Sequence, residues 1–167
     1  QALLANMAAM YAIYHGPDGI SAIARRVHGM ASALDRALRT LGYEQVNPCY
    51  FDTLRLVADA ARVRTIRSAA LARGINFRYV GETGIGIALD ESATAEDFLA
   101  IIEVFAAASR DPGRVVDLDT RGDGPAPWPA PLRRTSRYLT HPVFNTHRSE
   151  TEMMRYIKSL ERKDIGL

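Results

Sequence analysis

The chain has 167 residues, 47% of them hydrophobic and 24% charged, with a net charge of +2. That balance supports an ordinary globular core and excludes a chain disordered throughout. The 21 basic residues are matched by 19 acidic ones, so no basic field suited to nucleic acid builds up, and no apolar run approaches the roughly 20 residues of a membrane span.

Only Lys158 and Lys163 are lysines, and the other basic residues are arginine. Cys49 is the one cysteine, so no internal disulfide forms, which fits a reducing compartment. No signal-peptide pattern is visible, and a cytoplasmic location is expected. Helical periodicity begins at Gln1, which reads as a cut inside a longer protein.

Leu3, Leu4, Met7, Met10, Tyr11 and Tyr14 recur at helical spacing, and His15-Gly16-Pro17 is expected to stop that helix. A second helix carries Ile20, Ile23, Val27, Met30, Leu34, Leu38 and Leu41 on one stripe and Arg25, Arg36 and Arg39 on the other face. Gly42 sits where a left-handed residue ends such a helix. Cys49 to Val57 reads as a strand, and 59–73 as a helix ended by Gly74. The period then changes to two. Ile75, Phe77 and Tyr79 alternate with polar residues, as do Ile85, Ile87 and Leu89 with small ones, around Gly81-Glu82-Thr83-Gly84. This predicts an antiparallel hairpin of 75–80 with 85–90, its apolar side facing helices.

Thr94 to Asp97 resembles a capping box ahead of Phe98, Ile101, Ile102 and Phe105. Residues 111–131 hold five of the eight prolines, the composition of a linker. Ser149 to Glu152 is a second capping box, followed by the stripe Met153, Ile157 and Leu160. The expected fold class is α+β: a small, mostly antiparallel sheet with helices packed on one face. The expected organisation is a small α+β domain over 1–110 with leading long helices, a Pro-rich linker and polar loop over 111–148, and an amphipathic helix over 149–167. The 111–148 segment is expected to make few long-range contacts.

Gly81-x-x-Gly84-x-Gly86 lacks the strand-to-helix setting of a phosphate loop and is assigned to the hairpin turn. His15 is placed at a helix end and His28 on or near a polar helix face. Neither His15 nor His28 has a neighbouring ligand at metal spacing, and His141, His147 and Glu150, close in sequence near a helix start, make a weak pattern, so no metal site is expected. No Gly-x-Ser-x-Gly elbow is present, and Cys49 has no flanking base, which disfavours a nucleophilic hydrolase. The stretch Arg133 to Glu152 is different: polar, aromatic, dense in side-chain donors and aperiodic up to Ser149. Loops of that composition carry function or tether surfaces.

Tyr138-Leu139-Thr140-His141-Pro142-Val143-Phe144-Asn145, then Ser149-Glu150-Thr151-Glu152-Met153 and Leu160-Glu161-Arg162-Lys163-Asp164, resemble the glycine-decarboxylating P-protein family of the glycine cleavage system. The stretch from Gln1 to His28 and the run Phe51-Asp52-Thr53-Leu54 are similar to the same family, so the resemblance runs end to end. It implies two halves, each like a fold-type I pyridoxal-phosphate enzyme. This chain would cover the small C-terminal domain of the first half and the junction to the second. The family decarboxylates glycine and passes the aminomethyl group to the lipoyl arm of the H-protein. Its cofactor lysine would lie beyond residue 167, and neither Lys158 nor Lys163 matches its motif, so the segment alone is expected to be inactive. No catalytic or cofactor-binding residue is assigned on this chain. His141 and Asn145 are the candidates for lining a cavity shared by the halves, because their loop combines donors with aromatics. The implied partners are glycine, the lipoylated H-protein and the remainder of the same enzyme. The competing reading is a stand-alone α+β interaction or small-ligand-binding module.

Overall fold

A computed structural model describes residues 1–111 and 129–163. The chain forms two compact units, one of Gln1–Ala24 with Ala130–Leu167 and one of Arg25–Pro129. The proline-rich stretch expected to be a linker lies, over 112–128, outside the described residues.

Helix α1 runs Ala2–Thr40 and is interrupted at Gly16. Its second stretch ends as Gly42 predicts. Gly42 takes φ 80°, its N–H reaches the Arg39 carbonyl at 3.0 Å, and the Tyr43 N–H reaches Leu38 at 3.0 Å. This is the Schellman closure, which satisfies carbonyls a helix end leaves open. Within the larger unit, α1 gives the core Ala31, Leu34, Leu38 and Leu41, while Arg36 and Arg39 stay exposed.

Four strands follow: β1 (Glu44–Gln45), β2 (Thr53–Val57), β3 (Arg78–Val80) and β4 (Gly84–Ala88). All neighbouring pairs are antiparallel, in the order β1-β2-β4-β3. The helices are α2 (Ala60–Ala72) and α3 (Ala95–Ala107). Strands β2 and β3 both run against β4, which lies between them, so α2 makes the crossover of a split β-α-β unit. In β2, Leu54 and Leu56 are fully buried, whereas Thr53, Arg55 and Val57 are exposed. One face is therefore covered and the other open, the α+β layer expected from the sequence.

The register sets Leu54 opposite Ile87 and Leu56 opposite Ile85. Against that face pack Val63, Ile66 and Ala70 of α2 and Phe98, Ile101, Ile102 and Phe105 of α3. The Tyr43 ring meets Phe105 edge-on at 5.0 Å, and its hydroxyl donates to the Phe105 carbonyl at 2.8 Å. The Arg62 guanidinium lies 4.0 Å over that ring and donates through Nε to the Ala108 carbonyl. Burial pushes the Tyr43 hydroxyl above its ordinary range, so it remains a donor.

Local expectations shift in four places. The strand expected from Cys49 begins only at Thr53, because the preceding loop folds over α1. Strand β1 is two residues long and leaves no alternation to detect. The hairpin is shorter than 75–80 with 85–90. Ile75 closes α2 by donating its N–H to the Ala70 carbonyl, and Ile75 and Phe77 sit half-buried ahead of β3. His28 is buried, not on a polar face. Its Nδ1 meets the Phe51 carbonyl at 2.7 Å, and its ring stacks on Phe51 at 5.8 Å. Beside it, Tyr50 donates to Asp35 at 2.9 Å, and Asp35 also holds Arg39 at 2.8 Å. Burial first, then the Asp35 carboxylate, pushes the Tyr50 hydroxyl up to about 12.

In the smaller unit, the first stretch of α1 is helical as expected, but Leu3, Leu4 and Met7 are exposed. Helix α4 (Glu150–Glu161) starts at Ser149, whose Oγ accepts the Glu152 N–H at 3.2 Å. It buries Met153 and leaves Met154 and Ile157 exposed.

Phe105 is fully buried against two aromatic rings. Phe105→Ala is expected to cost about 3–5 kcal/mol in a denaturant titration, and exposed Val57→Ala less than about 0.5.

Acid should act through two helix-capping carboxylates, Asp59 and Asp97, and through Asp90 in the turn ahead of α3. Asp97 accepts from the Thr94 N–H and hydroxyl at 2.9 and 2.8 Å, completing the box that starts α3. The Arg62 N–H holds Asp59, and the Ser92 hydroxyl and N–H hold Asp90. Each of these hydrogen bonds holds its carboxyl below the usual carboxylate range. A depressed folded-state pKa means the stabilisation is complete above the unfolded value and is lost as pH falls through the folded one. Circular dichroism between about pH 5 and 2 should show helicity lost in that window, and Asp97→Asn should flatten part of the profile.

Candidate functional site

The candidate site is built in the smaller unit around the interruption of α1. His15-Gly16-Pro17 ends the first helical stretch as expected, and a second begins at once, so α1 is two helices joined at a kink. Gly16 alone leaves the helical region, with φ 62° and ψ −177°, and helix resumes at Pro17. Proline suits that position because the first N–H of a helical stretch has no intrahelical partner. His15 packs against the rings of Tyr11 and Tyr14, at 4.3 and 5.2 Å between centroids. Gly16 is required twice over. Its φ lies in the left-handed region, and a Cβ there would meet the Phe144 carbonyl and the Arg148 guanidinium at 2.7 Å.

The polar loop makes long-range contacts that its composition did not announce. The Tyr138 hydroxyl donates to the Pro17 carbonyl at 2.6 Å, and Arg148 lies 3.7 Å from Asp18. The expectation of few such contacts over 111–148 is therefore corrected for its described part. The reason is that Tyr138 combines a half-buried ring with a hydroxyl able to reach a distant carbonyl. The Arg148–Asp18 pair is exposed and adds little stability by itself.

His141 caps a short 3-10 turn, Pro142–Asn145, its Nδ1 accepting the Val143 N–H at 3.2 Å. Asn145 closes the turn. Its Nδ2 donates to the carbonyls of Leu139 and His141 at 3.0 and 3.1 Å, and its Oδ1 accepts from Arg148 at 3.0 Å. Among the described residues, Leu139 is the only non-glycine residue at positive φ, 50°. Between the loop and the bend lies an open cleft of about 530 Å³, walled in part by Pro17, Asp18, Arg137, Thr140, Pro142 and Asn145. Asn145 thus stands in the cleft wall. His141 is exposed and sits between two wall residues in the chain.

His147 stacks on Tyr156 at 4.3 Å and is committed to that contact. Among the described residues no cluster of three or more His, Cys, Asp or Glu side chains comes together. Lys158 projects from α4 as an exposed partner of Glu161 at 2.8 Å, and Lys163 is exposed. Sequence reasoning missed Gly16, Tyr138 and Arg148. The signal present was Gly16-Pro17, which specifies a break but not what packs into it.

Gly16→Ala is expected to destabilise the smaller unit by about 2 kcal/mol or more, from strain plus overlap. Gly29 provides the internal control. It lies within α1 with nothing within 4 Å of an added Cβ, so Gly29→Ala should stabilise by about 0.5–1 kcal/mol. Differential scanning calorimetry of both variants checks the contrast.

Comparison with known proteins supplies the context for this arrangement. Among the described residues no helix is long and apolar enough to cross a membrane. The profile of the family described as glycine cleavage system P-protein matches residues 1–105. A curated relative from Cupriavidus metallidurans, named glycine dehydrogenase (decarboxylating), is 47% identical over 171 aligned residues. The match covers 100% of this chain and 17% of that relative, so the chain spans about a sixth of the relative's length. A α+β layer that fits the small domain of a pyridoxal-phosphate enzyme, a family match over more than half the chain and identity along its whole length agree: this chain belongs to the glycine cleavage system P-protein family.

Proposed function

We propose that the chain is a segment of a glycine decarboxylase. In that enzyme the carboxyl of glycine leaves as carbon dioxide, and the aminomethyl group passes to the lipoyl arm of a partner H-protein. The observation that carries this reading is the 47% identity to a glycine dehydrogenase (decarboxylating) over the whole chain. Pyridoxal phosphate would supply the electron sink of the parent enzyme. Both lysines here are exposed, and Lys158 is paired with Glu161, so this segment does not fit the role of cofactor carrier.

What the segment offers is a shaped wall. The cleft beside the Gly16 bend is walled in part by Arg137 and Thr140, and His141 follows Thr140 in the chain. In this reading His141 and Asn145 line the cavity completed by the remainder of the enzyme. The bacterial relative and the lone, exposed Cys49 support a cytoplasmic location. No observation favours the stand-alone module over this assignment.

Carboxyl exchange tests the proposal, because decarboxylation run in reverse incorporates labelled bicarbonate into glycine. A parent polypeptide containing this segment should catalyse that exchange with pyridoxal phosphate and lipoylated H-protein, and the isolated segment should not. His141→Ala in the parent should lower the rate roughly tenfold or more, the size expected for losing a hydrogen bond to a charged group. A parent inactive towards glycine under these conditions would sink the assignment.

A further inference from the structure

We infer that Asn145 is a positioning residue and not a contact residue. Its side-chain amide ties the carbonyls of Leu139 and His141, which holds Leu139 in the left-handed region and sets the place of the exposed His141 ring. The inference deepens the cavity reading above and rests on it for its activity readout.

The donor inventory of Asn145 carries the first step. A carboxamide has two N–H donors and one carbonyl oxygen. Both neighbouring acceptors of Nδ2 belong to the loop, the Leu139 carbonyl at 3.0 Å and the His141 carbonyl at 3.1 Å. The oxygen is taken by Arg148 at 3.0 Å. The amide is therefore turned back on its own loop, and a ligand in the cleft would meet its edge without gaining its donors.

Backbone conformation carries the second step. A leucine at φ 50° is held against its own preference, since its Cβ crowds the following carbonyl. Such a residue persists only where its surroundings over-determine it. The surroundings are on either side: the Tyr138 hydroxyl is tied to Pro17, and the Leu139 carbonyl is tied to Asn145. The cleft wall includes Thr135 through Thr140, so the bend at Leu139 sets the shape of that wall.

The chemistry of His141 completes the division of labour. Its Nδ1 accepts the Val143 N–H, so the proton of the neutral ring resides on Nε2. The loop thus presents His141 as an Nε2–H donor suited to an oxygen acceptor such as a carboxylate. Asn145 holds the carbonyl of the same residue.

The test uses the full-length parent enzyme and two readouts, glycine–bicarbonate exchange and hydrogen exchange of the amides of 138–147. Asn145→Ala should raise loop exchange and lower kcat about tenfold. Leu139→Gly in that background should restore much of both, because glycine adopts φ 50° without crowding, and Leu139→Asn should restore less. The loss in His141→Ala should not be restored by either change at Leu139. A loop protected as in the wild type in Asn145→Ala, or a loss of activity that no Leu139 change repairs, overturns the positioning role and points to direct contact. Loop exchange raised by Asn145→Ala and reversed by Leu139→Gly, with activity unchanged throughout, upholds the positioning role and removes the loop from the active cavity.

Discussion

The register of β2 on β4 is the constraint from which the larger unit follows. Leu54 faces Ile87 and Leu56 faces Ile85, all on the covered side of the sheet. Because strand side chains alternate, a slip of β2 by one residue would send Leu54 and Leu56 to solvent and bring Thr53, Arg55 and Val57 inward. The apolar layer under α2 and α3 would then be broken along β2. Helix α2 adds little specificity of its own: only Val63, Ile66 and Ala70 are buried, enough to dock on an apolar face but not to define one. Tyr43 then spans from the end of α1 to the carbonyl of Phe105, tying the leading helix to the last one through a single buried hydroxyl.

The smaller unit is organised on another principle. Little of it is apolar and buried, Ile13 and Met153 being the clear cases. Its described loop is held instead by directed polar contacts. Gly16 leaves room for Arg148, Arg148 holds Asn145, and Asn145 holds the carbonyls of Leu139 and His141. Removing any member leaves the next without its partner, so the effects should be coupled instead of additive. A surface built this way keeps an irregular backbone in one conformation without a core beneath it, which is what a cavity wall needs.

That contrast bears on the division of work within the P-protein family. Both lysines of this segment are exposed, and Lys158 is paired with Glu161. In the proposed reading the segment contributes orientation, exclusion of water and a donor held at a fixed place, while the cofactor of the parent enzyme would supply the bond-breaking chemistry. His141, with Nδ1 spent on the Val143 N–H, is suited to that use.

Much of the larger unit was legible in the sequence because its determinants are local. Gly42 and Gly74 mark helix ends by the conformation only glycine adopts freely, the period-two runs around Gly81 specify the hairpin, and Thr94 with Asp97 specifies the start of α3. The text from Tyr138 to Asn145 likewise carries the resemblance to the family, and the relative's identity extends across it. The sequence did not show that His28 is buried, because its partner is a carbonyl 23 residues away and carbonyls carry no signature. Nor did it show that Gly16 bends α1 around Arg148, or that Tyr138 reaches Pro17 across 121 residues. Periodicity and capping are read between residues a few positions apart, and turn chemistry within a handful. Which side chain fills the space opened by a missing Cβ, and which carbonyl meets a distant hydroxyl, is decided only when the chain has closed on itself, and there the sequence gives way to the tertiary structure.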